Sequence, residues 1–220
     1  MDAGFAIFPG VFSNAEMIQL GDALAAAPLE RSRAGARHLM HLPAVLALAA
    51  DSRLRAIVAP VLGANALPYR ATLFDKSSAA NWLVAWHQDT ALPLCARVDV
   101  NGWGPWSEKS GVVYAHAPAA ALARVLALRI HLDDSHADNG PLRVIPGSHD
   151  QGVLTDAEVS VRAAAAHVVI CVVPSGGVVA MRPLAIHASS KAHSAAPRRV
   201  LHLEYAESLD VAPGLRLRVA

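Results

Sequence analysis

From Leu67 onward the chain is cut into short runs rich in valine, isoleucine, leucine and tryptophan, each bounded by proline, glycine, asparagine or aspartate. The runs are LPYRATLF, WLVAWHQD, GVVYAH, ARVLALRIHLD, PLRVI, HVVICVV, GVVAM and RRVLHLEYA. Short segments of this composition with turn chemistry between them predict strands. About eight in succession suit an antiparallel sandwich or barrel better than a doubly wound parallel sheet. ADNGPL and PSGG are turns by their chemistry, since Asn and Gly tolerate positive φ. VDVNGWGPWSEKSG is the longest irregular stretch and reads as a lid, a rim or a packed surface turn.

The first third reads mostly as helix. Ser13 and Glu16 make a capping-box pattern at the head of SNAEMIQLGDALAAAP, and Pro28 ends that run. Asp51 is placed to cap DSRLRAIVAPVLG, which Gly63 closes. No repeat, low-complexity tract or linker interrupts the 220 residues, so one domain is expected, with a helical part over 1–66, a β core over 67–206 and a short C-terminal tail.

Composition excludes several roles. A formal net charge of +1 without a sustained basic run argues against nucleic acid or an anionic membrane as the main partner. MDAGFAIFPG lacks the basic start of a secretion signal, and no apolar run approaches the roughly 20 residues needed to span a bilayer. Cys95 and Cys171 are too few for a disulfide framework or a thiolate zinc site, and a reducing cytoplasm suits them.

The chemistry-bearing feature is His87-Gln88-Asp89 at the end of an apolar run. Residues i and i+2 of a strand share a face, so imidazole and carboxylate project together, as two members of a 2-His-1-carboxylate iron site would. The spacing is weak evidence by itself. Four His-x-acid triplets occur, His87/Asp89, His131/Asp133, His136/Asp138 and His202/Glu204, where composition alone gives roughly one. Each is more often a surface or strand-end histidine than a ligand.

His136 and Asp138 sit in a polar turn; His131/Asp133 end a strand and are the serious rival; His202/Glu204 lie on the last long strand. The first pair alone has a downstream pattern that completes a site. There His187 follows an apolar run, and Arg198-Arg199 open another strand. An arginine on a strand next to that of His187 would lie deeper in the pocket and suit the far carboxylate of a chelating dicarboxylate. The competing reading of Arg198-Arg199 is a pair of exposed strand-start charges. His193 is a further possible ligand in a polar loop, and Arg129 is free to face either the pocket or the exterior.

LFDK…NWLVAWHQD, DNGPLRVIPGSH and RPLAIHASS…RRVLHLEYA occur in an order that resembles the phytanoyl-CoA dioxygenase family of Fe(II)/2-oxoglutarate-dependent oxygenases. The resemblance runs from about Leu67 to Ala206, and weakly through GFAIFPGVFS. It implies a mainly β fold, a cupin-like double-stranded β-helix or jelly roll with flanking helices. It implies Fe(II), with 2-oxoglutarate and O2 as co-substrates, in a small-molecule hydroxylase. His87, Asp89 and His187 match the iron ligands and the catalytic centre. Arg198 matches the arginine on the 2-oxoglutarate C5 carboxylate, Ser189 a co-substrate serine, and Thr72 a pocket-lining residue.

A tryptophan that lines the family's pocket has Trp103 and Trp106 as candidates, neither at matching spacing. An upstream lysine finds only Arg33 and Arg37 as loose substitutes. Related halogenases carry a small residue where Asp89 stands, so its presence implies hydroxylation or another two-electron oxidation. DNGPLRVIPGSH reads as structural turns rather than as pocket chemistry. The rival readings are a cupin-like metal enzyme independent of 2-oxoglutarate and a binding domain without turnover.

Overall fold

The computed structural model describes residues 1–32, 34–76 and 80–220. Its strands are β1 (Phe5–Phe8), β2 (Arg31–Ser32), β3 (Gly35–Arg37), β4 (Leu67–Lys76), β5 (Val84–His87), β6 (Ala91–Leu94), β7 (Trp106–Lys109) and β8 (Val112–His116). They continue with β9 (Val125–His131), β10 (Leu142–Val144), β11 (Val169–Cys171), β12 (Val178–Met181), β13 (His187–Ser189), β14 (Arg198–Ala206), β15 (Asp210–Ala212) and β16 (Leu215–Arg216). The helices are α1 (Asn14–Ala26), α2 (Pro43–Ala49), α3 (Ser52–Leu62), α4 (Ala119–Leu122) and α5 (Asp156–Ala165).

Two antiparallel sheets make the jelly roll. The large one has the order β1-β12-β9-β14-β4-β3-β2, the small one β11-β10-β13-β5. A third sheet, β6-β8-β7, adds a wall at one side. Period-2 alternation decides which residues meet which layer. On β14, Leu201, Leu203 and Tyr205 point away from the barrel, and on β9 so do Leu126, Leu128 and Ile130. These pack against Met17, Leu20 and Leu24 of α1, Val45 of α2 and Leu54 and Val58 of α3. Burial of each such leucine contributes about 2 kcal/mol. The Tyr205 hydroxyl donates to the Ala49 carbonyl at 2.9 Å and ties the sheet to the end of α2.

The caps act as the sequence predicts. Ser13 and Glu16 form the reciprocal capping box of α1. Asp51 accepts from the Arg53 amide at the head of α3, and Gly63 closes that helix at φ 86°.

All eight runs contain strands, and three regions carry structure that the sequence reading did not specify. Residues 1–66 are not only helical, because β1 pairs with β12 and β3 pairs with β4 as parts of the large sheet. The irregular VDVNGWGPWSEKSG stretch contains β7, paired with β8. The C-terminal tail is bound to the barrel. β15 and β16 form a hairpin, and the Ala220 backbone both donates to Tyr69 and accepts from Ala71. Among the described residues no helix is long and apolar enough to cross a membrane.

Candidate metal centre and anion pocket

Between the sheets the interior divides in two. One half is filled by Leu142, Val144, Cys171, Val179 and Met181. The other is a cavity of about 310 Å3. Its floor is the inner face of the large sheet, where β14 presents His202 and Arg198, β4 presents Thr72 and Phe74, and β9 presents Arg129. The small sheet forms the opposite wall with His87, His187 and Ser189.

His87 and His187 face each other across the β5–β13 pairing, ring centroids 4.2 Å apart. Each ring is oriented from behind. His87 Nδ1–H donates to the Ala85 carbonyl at 2.8 Å, and His187 Nδ1–H to the Ala185 carbonyl at 2.9 Å. That leaves Nε2 of each as the free lone pair, the arrangement that positions metal-bound imidazoles. His87 Nε2 lies 3.7 Å from Asp89 Oδ1, and His187 Nε2 lies 3.5 Å from Asp89 Oδ2. One ligand atom from each of the three lies within 4.8 Å of the others.

Gln88, between His87 and Asp89, is buried. Its amide donates to Gly152 and Leu184 carbonyls and accepts from the Leu154 amide, so the strand end is held by three hydrogen bonds. The Asp89 amide is held by the Pro183 carbonyl. Ser148, in the turn after β10, donates to Ile145 and accepts from the Ile186 amide immediately before His187. This supports the structural reading of DNGPLRVIPGSH.

The charge states of the three side chains are coupled to one another. Burial pushes the His187 pKa down to about 4. Burial disfavours a charged His87, but the hydrogen bond and charge of Asp89 outweigh it and raise its pKa. Burial likewise opposes ionisation of Asp89, yet His187 and His87 hold its carboxyl well below the usual range. Two imidazoles and one carboxylate on one side of a cavity, with the other side open, suit a divalent first-row metal that keeps vacant coordination positions.

Behind the triad stands Arg198, 3% exposed. It is not on a strand paired with β13, as expected, but on β14 of the facing sheet, and reaches Ser189 across the gap. Its Nη2 donates to Ser189 Oγ at 3.4 Å and its Nε to the Asn139 carbonyl at 3.4 Å, while Nη1 is buried without a partner. Burial first, then the neighbouring charge of Arg129, pushes its pKa down. Ser189 donates to the Gly140 carbonyl at 2.8 Å. Thr72 lines the same cavity and is 7% exposed. Arg199 is the strand-start charge of the competing reading, held by Asp133 at 2.7 Å.

The other His-x-acid pairs are disposed of by their surroundings. Asp133 belongs to Arg199, and His131 is fully buried outside the cavity lining. His136, Asp138 and His193 are exposed. Glu204 is taken by Arg70 and faces His202.

Two groups beside Ser189 and the cavity escaped the sequence reading. Lys76, the last residue of LFDK, is 1% exposed and donates to Ser189 Oγ at 2.9 Å and to the Ser190 carbonyl at 2.6 Å. Burial, then Arg198 and Arg129, lowers its pKa to about 8. Gly140 makes room for it: at φ +72°, an added Cβ would come within 2.5 Å of the Ser190 carbonyl and 3.0 Å of Lys76 Nζ. The cavity's tryptophan is Trp82, 5.3 Å from Lys76 Nζ. Trp103 and Trp106 instead pack on the separate core beside β6 and β8. Of the lysine substitutes, Arg37 lines the mouth of the cavity and Arg33 lies outside the described residues.

Residues 2–200 match the family model described as phytanoyl-CoA dioxygenase (PhyH). A comparison with curated proteins found no match. Among solved structures, the chain is similar to AviO1 from Streptomyces viridochromogenes Tue57, at 24% identity and TM-score 0.64, over 93% of this chain and 90% of that one. It is similar to EctD from S. alaskensis in its apoform, at 21% identity and TM-score 0.70, over 93% and 73%. It is also similar to HygX from Streptomyces hygroscopicus with nickel and 2-oxoglutarate bound, at 16% identity and TM-score 0.67, over 93% and 83%. At these identities the likeness is one of fold.

Proposed function

The chain belongs to the phytanoyl-CoA dioxygenase family, and on that premise we propose that residues 1–220 form one domain of a non-haem Fe(II)- and 2-oxoglutarate-dependent oxygenase that hydroxylates a small molecule. The observation that carries this reading is the convergence of His87, Asp89 and His187 in front of a buried, incompletely bonded Arg198. The nickel and 2-oxoglutarate in HygX, a protein of the same fold, support it.

In this reading the two Nε2 atoms and an Asp89 oxygen hold the metal, and Arg198 makes a charge-assisted pair with the C5 carboxylate of 2-oxoglutarate beside Ser189 and Thr72. When bound, Fe(II) with 2-oxoglutarate and O2 supplies the oxidising chemistry, which converts the co-substrate to succinate and CO2 while a substrate C–H bond is oxidised. The protein's contribution is orientation. The Nδ1 hydrogen bonds fix the ring tautomers, and the ionised Asp89 offsets metal charge. Asp89 also fills the place a halide would need, which favours hydroxylation over halogenation.

Asp89→Ala should lower 2-oxoglutarate-dependent succinate formation more than about a hundredfold while the protein still melts cooperatively. Full substrate-coupled turnover in that variant removes the triad from the mechanism. Fe(II) and 2-oxoglutarate together should raise the melting temperature more than either alone, which separates this reading from a metal domain indifferent to 2-oxoglutarate.

A further inference from the structure

Beside Arg198, the cavity contains a second buried guanidinium with no paired carboxylate among the described residues. Arg129 sits in the middle of β9, opposite Val179 of β12 and His202 of β14, on the face that looks into the barrel. It is 7% exposed and lines the cavity. Its Nη1 donates to His202 Nδ1 at 3.3 Å, its guanidinium lies 5.2 Å from the centre of the Phe74 ring, and its Nε is buried without a partner. Among the described residues no carboxylate pairs with it.

The neighbouring arginines behave differently. Arg70 is neutralised by Glu204 and Arg199 by Asp133. The acceptor that Arg129 does have is a lone pair of His202, whose other nitrogen lies 3.4 Å from Glu204, a carboxylate already taken by Arg70. This chain of contacts aims Arg129 and leaves it without a carboxylate in direct contact among the described residues. An unpaired buried cation costs far more than one neutral hydrogen bond returns, so a retained one implies a resident or arriving anion.

Position says which anion. Arg129 lines the same cavity as His87, Asp89 and His187, and its strand, β9, pairs with β14, which carries Arg198. A ligand that spans the cavity from the triad to Arg198 therefore occupies a chamber that Arg129 also lines. Arg198 and Arg129 together match the two charges of a dicarboxylate.

Resting on the function proposed above, we infer that Arg129 is a binding residue for the 2-oxo-acid end of the co-substrate. It holds the C1 carboxylate through donors left free by His202 while Arg198 holds C5. The pocket then recognises both ends of the molecule with separate arginines from separate strands.

Calorimetric titration of the Ni(II)-loaded protein separates the two ends. The probes are 2-oxoglutarate and 2-oxobutyrate, which keeps the 2-oxo-acid end and lacks the distal carboxylate. In Arg129→Gln both probes should bind at least tenfold more weakly. In Arg198→Gln, 2-oxoglutarate alone should weaken. Wild-type affinity for both probes in Arg129→Gln overturns the inference, leaves the oxygenase reading standing and hands Arg129 to an acidic substrate. Absence of 2-oxoglutarate binding to the wild-type protein overturns both. If Arg129→Gln does not fold, Arg129→Lys carries the test: it keeps the charge and loses the planar fork, so 2-oxobutyrate should weaken at least fivefold, and unchanged affinity refutes the inference.

Discussion

The two faces of the large sheet are built from the same strands under opposite rules. Along β14, Leu201, Leu203 and Tyr205 face the helices and are fully buried. The alternate residues Arg198, His202 and Glu204 face the cavity side and are just as buried. The outer face gains stability from apolar contact. The inner face keeps two buried guanidiniums, Arg129 and Arg198, each with a nitrogen that has no hydrogen-bond partner among the described residues. A single strand thus shows what the sheet does for the fold and what it gives up for a site.

The comparison can be broken at three points. Leu203→Ala, on the outer face, should lose about 3 kcal/mol and about 10 °C of melting temperature. If the faces are separable, the folded fraction will still bind 2-oxoglutarate with wild-type affinity in a calorimetric titration, and a large loss of affinity would mean that they are not.

His131 tests the inner face without touching the cavity. Burial first, then Arg129 and Arg198, lowers its pKa to about 3. The folded protein therefore resists a proton that the unfolded chain accepts near pH 6.5. The stability it contributes is complete above that value and lost as pH falls toward 3. Between pH 6.5 and pH 5 the loss is about 2 kcal/mol. His131→Leu should flatten the acid limb of denaturant midpoint against pH by that amount, and parallel profiles would contradict the assignment. The smallest effect belongs to Tyr205→Phe. Loss of the bond to Ala49 should cost about 1 kcal/mol in urea unfolding, with no change at the site.

Legibility differed between the faces for a related reason. The outer face is written in the period-2 spacing of β-branched residues and leucine, so β4, β8, β9, β12 and β14 were all apparent. The capping box of α1 was also apparent, whereas the same device at Thr155 and Glu158 of α5 went unread. Three-residue β13, polar β7 and the short β1 carry too little pattern to register.

At the site, motif order led to His87, Asp89, His187, Arg198, Ser189 and Thr72, and all six line one cavity. Arg129 was undecidable because spacing does not say which face of β9 is wet. Lys76 was overlooked because a lysine ending a strand ordinarily reads as solvated, and its burial depends on Gly140 from a distant turn. Trp103 and Trp106 drew attention by their distance along the chain, while Trp82 lay inside the quoted motif.

The Gln88 clamp has a consequence for how the centre would load. A segment already immobilised gives up little chain entropy when an ion arrives. Capture then reduces mainly to stripping water from the ion, and chelation should return an intact, refillable barrel rather than a partly unravelled one.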